Sequence, residues 1–415
     1  MLWAFALLSL LAVTEAQAQQ AVLTVGVGGD VPTISEALRR IPAGGRIIVG
    51  SGRYQEPTLV ISKPVEIIGQ DYPVLDGRNQ HELIRIQAND VTVRGLEIRN
   101  VGVSYVEDRA GIKVEGARRC RIENNRLINT FFAIYLSSSQ DCRITNNVIR
   151  GQGTREAATG NGIHLWYSRN VEIAGNQVTG HRDGIYFEWV QASRITGNKS
   201  AENLRYGLHF MFSDSCAYAG NLFTHNRAGV AVMYTRNVTM IENRIIDNWG
   251  GAAYGLLLKD IRHSRIERNE FTRNTVGVHF DGSSHVTVEG NRFRQNGWAT
   301  RVLANSTDNR FEGNSFTGNM FDVTTNSRAS YNNIFLHNYW DAYRGYDLDH
   351  DGVGDVAFRP VRFFSVLIER HRPAMILVRS LLSSALDAAE RAFPALTPTA
   401  LQDEQPLMRP PRGLP

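Results

Sequence analysis

Tyr206-Gly-Leu-His-Phe-Met-Phe-Ser-Asp-Ser-Cys-Ala-Tyr-Ala-Gly-Asn221 is the stretch whose reading decides the fold, because its pattern returns on a ruler. Gly207-Leu-His-Phe, a small residue followed by apolar, variable and apolar positions, recurs 22 residues later as Gly229-Val-Ala-Val. Copies begin at Gly111, Ala133, Gly162, Gly184, Gly207, Gly229, Gly255 and Gly277, at steps of 22, 29, 22, 23, 22, 26 and 22. The second half of the stretch, apolar-x-x-Asn, has its own series at Asn125, Asn147, Asn176, Asn198, Asn221, Asn243, Asn269, Asn291, Asn314 and Asn338. Its first seven steps are the same seven numbers, so two independent rulers agree. The long steps locate loops near residues 151–160 and 248–252.

Within each copy apolar residues alternate with period two, a strand signal, and a copy is too short for a helix pair. A repeat of this length built from short strands with Asn or Gly corners predicts an all-β chain, a right-handed parallel β-helix. Asn suits the corners because it tolerates left-handed backbone angles, and stacked copies can ladder amide to amide. Rungs about 4.8 Å apart over ten or more coils make a rod roughly 50 Å long.

Composition agrees with a folded chain. Of 415 residues 42% are hydrophobic and 21% charged, which excludes general disorder. The net charge of +4, from 45 basic against 41 acidic residues, does not describe a polyanion binder, and no nucleic-acid partner is expected. Residues 2–13 form an apolar run too short to span a bilayer, followed by Ala16-Gln17-Ala18, a small-x-small cleavage pattern. Residues 1–18 therefore read as a secretory signal peptide, although no Lys or Arg precedes the run. Residues 19–64 read as an N-terminal cap and first strands, with a short helix between Pro32 and Pro42. The solenoid should occupy 65–341, an Asp-rich loop and C-terminal cap 342–372, and a helical, Pro-rich tail 373–415.

In-register coils turn sequence positions into columns. The third position of the first pattern faces outward and runs Lys113, Tyr135, His164, Tyr186, His209, Ala231, Leu257, His279, Arg301. Two residues on, also outward, come Trp166, Glu188, Met211 and Met233. With Phe212 and Tyr234 this makes a strip unusually rich in aromatic and thioether groups for a solvated wall. His209, Met211 and Met233 are the candidate ligands of one Cu(I) ion, since thioether with imidazole is a soft set. His164, Trp166, Tyr186, Glu188, Phe212 and Tyr234 are the candidate partner surface. The competing expectation is that a long loop covers the strip and these residues are ordinary packing. A further outward column of Arg121, Arg143, Glu172, Arg194, Arg265 and Arg310, flanked by Glu, reads as a solvated charged face.

Cys120 and Cys142 point inward on adjacent rungs, where a disulfide would fit an oxidising compartment. The odd count of three cysteines, with Cys216 farther along the same column, favours free buried thiols. Asp347-Leu-Asp349-His-Asp351-Gly352-Val-Gly354-Asp355 matches the start of a calcium loop, making these four aspartates candidate ligands. Phe358 stands where an EF-hand needs Glu, which excludes a complete EF-hand. Beyond it, Phe363 to Ile368 and Ala374 to Phe393 read as helices with apolar faces.

Three segments carry a resemblance to a known family: Lys63-Pro-Val-Glu-Ile-Ile-Gly69, Tyr206 to Ser213, and Asn338-Tyr-Trp-Asp-Ala-Tyr-Arg-Gly-Tyr through Asp355. With the tail pieces Ala392-Phe-Pro-Ala-Leu and Pro406-Leu-Met-Arg-Pro, the chain resembles the NosD family of nitrous oxide reductase maturation proteins, whose repeats are of the CASH type. The resemblance implies a periplasmic, non-catalytic protein that associates with the permease and ATPase of an ABC transporter complex. It further implies a part in supplying copper or sulfur to the copper-sulfide centre of nitrous oxide reductase in denitrification, with a copper-donor lipoprotein as another partner and the membrane reached only through partners. A polysaccharide lyase, epimerase or glycosidase on the same scaffold is the rival, and needs carboxylates grouped on one groove. On the His/Met strip Glu188 stands alone. A passive scaffold is the third reading.

Overall fold

The computed structural model describes residues 20–251, 253–326, 332–378, 380–393 and 401–411. The signal-peptide reading of residues 1–18 and residues 394–400 and 412–415 of the Pro-rich end lie outside the described residues. Three parallel sheets of 14, 12 and 13 strands run the length of a β-helix, each strand pairing with its counterpart one coil away. The register is the one the rulers require: Ile163 pairs with Ile185, Leu208 with Val230, and Ile195 with Tyr218.

Each coil turns at a residue held in the left-handed region. Ahead of most ladder asparagines this corner is a Gly or Asn, as at Gly175, Gly197 and Gly220 (φ 66°, 61° and 62°) and Asn124 and Asn146 (φ 52° and 55°), residue types that adopt it at little cost, while Glu242, Arg268 and His337 hold it at φ 54°, 50° and 52°. The asparagines that follow are fully buried, and each Nδ2 donates to the next Oδ1 along the axis, 3.1 Å from Asn125 to Asn147 and 2.9 Å from Asn221 to Asn243. The row ends on Asp403, whose Oδ2 accepts from Asn338 Nδ2 and Trp340 Nε1, both at 3.0 Å. A second row runs Asn203, Asn226, Asn248, Asn274, Asn296 and Asn319. Each satisfied amide contributes about 1 kcal/mol and prevents a larger penalty from an unpaired buried group.

The interior changes along the axis. Early coils are filled by Ile and Val, later ones by a stack of Phe271, Phe293, Phe316 and Trp340 with ring centroids 5.0, 4.8 and 4.2 Å apart. The N-terminal end is closed by helix α1 (Ile34–Arg40), which buries Ile34, Ala37 and Leu38. Thr33 caps it, and Glu56 accepts from the Ile34 and Ser35 amides, both at 2.8 Å. At the other end helix α2 (Phe363–Arg370) seats Phe364 and Ile368 against Phe321, a 3-10 turn follows at Arg372–Leu377, and helix α3 (Leu381–Ala392) comes next. The chain then returns to the solenoid, Asp403 bridging Phe335 and Phe358, and Leu407 bridging Tyr339. Among the described residues no helix is long and apolar enough to cross a membrane.

Candidate functional site

The strip lies on the outer side of the 12-stranded sheet, on the strands Ile163–Trp166, Asp183–Glu188, Tyr206–Met211 and Ala228–Met233. The expectation of solvent-facing imidazoles needs correcting. His164, Tyr186 and His209 point away from the solenoid core, yet only 8%, 8% and 4% of their surface is exposed. Their rings cover one another, with centroids 4.6 Å apart for Tyr135–His164, 4.7 Å for His164–Tyr186 and 4.9 Å for Tyr186–His209. Side chains that open strands of this sheet close the flanks: Phe132 meets His164 at 5.3 Å and Tyr206 meets His209 at 4.7 Å. The inserted loop carrying the 3-10 turn Glu156–Ala158 is tied to a later coil by the ion pair of Glu156 with Arg227 at 3.0 Å.

Burial makes the hydrogen bonds of these imidazoles decisive, because each partner fixes which ring nitrogen holds the proton. Asn161 Oδ1 accepts from Arg182 Nε and the Asp183 amide, both at 3.3 Å, so its Nδ2 is the group 3.1 Å from His164 Nδ1. His164 Nδ1 therefore accepts, its proton sits on Nε2, and burial pulls its pKa down to about 3. His209 has the opposite arrangement. Its Nδ1 lies 3.5 Å from Asp183 Oδ2 and donates to it, leaving the lone pair on a buried Nε2 that has no hydrogen-bond partner. Asp183 is fully buried and grips Arg205 through two bonds of 2.9 and 2.6 Å. Burial raises its pKa, but the bonds from His209 and Arg205 outweigh that and hold the carboxyl below its ordinary value. A carboxylate oriented behind an imidazole in this way is the usual support of a metal-binding histidine.

Met211 follows His209 on the same side of the strand, and Met233 is its register partner one coil on. Both are half-buried. Tyr186 Oη lies 3.7 Å from Met211 Sδ and 3.3 Å from Glu188 Oε2. It has one proton to donate, and the carboxylate is the stronger acceptor, so the thioether keeps its lone pairs. Burial and the nearby Glu188 push the Tyr186 phenol well above its usual value, so it stays protonated. The structure thus brings His209, Met211, Met233, Tyr186 and Glu188 together, and holds His164 alongside in a tautomer unsuited to ligation through Nε2.

Beside the strip runs a row that sequence reasoning caught only in part. Tyr167, Trp189, Phe212 and Tyr234 occupy one left-handed corner column, at φ 47°, 56°, 50° and 54°. Their rings stack at 5.8, 4.5 and 5.2 Å. Other coils place Gly116, Ser138, Asp260 and Gly282 there. A bulky residue in this conformation carries roughly 1–2 kcal/mol of strain. Tyr167, Trp189 and Tyr234 are nevertheless 53%, 44% and 40% exposed, and Trp166 packs edge-on to Tyr167. The signal for Tyr167 and Trp189 was available: an aromatic residue directly after Trp166 and Glu188, at the position of Phe212 and Tyr234.

Of the four Asp-loop candidates, Asp347, Asp349 and Asp351 bring carboxylate oxygens within 4.8 Å of one another. Asp355 stands outside that trio, its Oδ2 accepting from the Leu348 amide at 2.7 Å, while Asp347 Oδ2 and Asp351 Oδ1 accept from the Gly352 and Val353 amides at 3.0 and 2.7 Å. Cys120 and Cys142 are buried free thiols rather than a disulfide, with Cys142 Sγ donating to the Gln140 carbonyl at 3.3 Å.

Solved structures that resemble this chain share its fold. The family 28 exopolygalacturonase of Yersinia enterocolitica superposes with a TM-score of 0.52 at 12% identity, covering 76% of this chain and 79% of the other. The catalytic domain of a GH87 alpha-1,3-glucanase gives 0.52 at 13% identity, covering 71% and 65%. Residues 151–345, which contain the whole strip, match a family model described as "Periplasmic copper-binding protein (NosD)". Fold and match together define the class, a β-helical protein of the periplasm. A protein of Pseudomonas aeruginosa, named "Probable ABC transporter binding protein NosD", is 31% identical over 394 residues, 91% of each chain. A protein of the same name from Stutzerimonas stutzeri is 29% identical over 407 residues, 86% of each. The chain belongs to the NosD family.

Proposed function

We propose that this chain is a non-catalytic accessory of an ABC-type transporter complex that binds Cu(I) through His209 Nε2, Met211 Sδ and Met233 Sδ, as cargo for the copper-sulfide centre of nitrous oxide reductase. The observation that carries the reading is the pairing of a buried, unpartnered imidazole lone pair with two thioethers one coil apart. That donor set favours Cu(I) over hard cations. The strip of Trp166, Phe212 and Tyr234, with His164, Tyr186 and Glu188 beneath it, is the surface on which a copper-donor lipoprotein or the reductase docks. The exposed Ile376, Leu381, Leu382 and Phe393 of the tail support docking onto the permease and, through it, the ATPase. Asp347, Asp349 and Asp351 form a calcium-binding loop tip that stiffens the C-terminal cap. Among the described residues the strip offers a saccharide enzyme no freely paired carboxylates, since Asp183 is committed to Arg205 and His209.

Cu(I) titration against a chromophoric competitor tests the site. The wild-type chain should bind one Cu(I) at submicromolar affinity, and Met211→Leu with Met233→Leu should weaken it; equal binding removes the site. Pull-down of an ATPase and its permease from a denitrifying host tests the assembly, and release of unsaturated or reducing sugar from a uronan would overturn the non-enzyme reading.

A further inference from the structure

A different corner of the solenoid holds the one histidine pair in ring contact among the described residues. The register Arg265–Thr287–Arg310 puts His263, His285 and Asp308 one coil apart in a single column. All three are exposed and sit in the left-handed region, at φ 51°, 54° and 58°, so their Cα–Cβ bonds leave the surface in a common direction. The two imidazole centroids are 5.0 Å apart with planes inclined by 39°. Neither ring hydrogen-bonds to a protein group among the described residues, whereas the adjacent acidic and basic corners of the column pair with each other, as Arg119 does with Asp90.

The spacing selects a coordination geometry. With a metal–nitrogen bond of about 2.0–2.1 Å, an imidazole centroid stands roughly 3.2 Å from the ion. Two rings bound at about 100° then have centroids about 4.9 Å apart, while a linear pair needs about 6.4 Å. The observed separation fits the bent arrangement of tetragonal or tetrahedral ions and not linear two-coordinate Cu(I). Imidazole nitrogen suits borderline divalent ions, and among these Cu(II) binds more tightly than Zn(II). We propose that His263 and His285 form a two-imidazole site for a borderline divalent cation, with Cu(II) preferred. Water completes the coordination. The site uses none of the residues of the His209 strip, so the two stand or fall separately.

Untagged protein titrated with Cu(II) alone, and with Zn(II) alone, by calorimetry and by Cu(II) electron paramagnetic resonance tests the site. One Cu(II) should bind with hyperfine splitting from two nitrogens, more tightly than Zn(II). His263→Gln and His285→Gln should each weaken Cu(II) binding about tenfold or more, as expected when one of two linked ligands is lost, and leave a one-nitrogen spectrum. Both positions are exposed, so unchanged melting temperatures confirm intact folds. The Met211→Leu, Met233→Leu double variant should keep the two-nitrogen spectrum. Unaltered Cu(II) affinity in both single histidine variants, or a two-nitrogen spectrum that survives them, overturns the assignment.

Discussion

Asp183→Asn is the sharpest probe of the His209 site, because it alters no proposed ligand. The wild-type carboxylate accepts from Arg205 Nε and Nη2, from the Tyr206 amide at 3.3 Å and from His209 Nδ1. An asparagine has one acceptor oxygen and a donor NH2, so at least one of these donors faces another donor. Arg205 keeps part of its hydration, its side chain being 32% exposed, so the folding penalty should fall near the lower end of the 3–5 kcal/mol typical of a broken buried pair, about 3 kcal/mol. For Cu(I), losing the acceptor behind His209 releases both ring orientation and tautomer. Substituting such a supporting group typically weakens metal binding about 10- to 100-fold, or about 1.4–2.8 kcal/mol. Competition against a chromophoric Cu(I) chelator reads that change directly, with near-ultraviolet circular dichroism confirming a folded chain. Asn161→Ala is the control: it frees His164 and should leave Cu(I) affinity within about twofold. A folded Asp183→Asn chain that binds Cu(I) as tightly as wild type would refute the orientation argument.

Three further outcomes follow from the same structure. Asn221→Ala removes an amide that donates to Ile195, Ala219 and Asn243 and accepts from the amide and side chain of Asn198, so unfolding should become easier by about 3–5 kcal/mol, measured as a fall in melting temperature. Asp322 is fully enclosed and burial lifts its pKa from 3.8 to about 6; a carboxyl raised on folding subtracts stability as pH rises from about 4 through 6, so Asp322→Asn should raise the melting temperature at pH 7.5 and leave it nearly unchanged at pH 3.5, where a like gain at both would contradict the assignment. Trp189→Gly and Tyr234→Gly relieve left-handed strain of about 1–2 kcal/mol each, so the double variant should lose little or no thermal stability while recovering less of its partner proteins in pull-downs; full recovery would show that the exposed row is not a docking surface.

How far the site could be foreseen differs from residue to residue. Met211 and Met233 were placed side by side by spacing alone, because parallel in-register strands leave no other neighbour for a residue than its counterpart one repeat away. His164 and His209 occupy equivalent positions of their repeats and looked interchangeable. They differ only through Asn161, just ahead of its strand, and Asp183, at the start of one, whose side chains reach sideways in a way no period records. In the Asp loop the spacing supplies the four carboxylates, and only the path of the backbone decides that Asp355 Oδ2 faces the Leu348 amide.

A parallel solenoid converts repetition into three dimensions with almost no freedom, since hydrogen bonds between coils permit one register and alternation assigns each side chain to core or surface. The architecture, the asparagine ladder and the membership of each column were therefore legible in the chain of letters. Depth of burial, tautomer and pairing were not. They depend on what the corners and the inserted loops bring over the strip from residues far away in sequence, such as Arg227 to Glu156 and Asp403 to Asn338, and only the folded molecule brings those groups into contact.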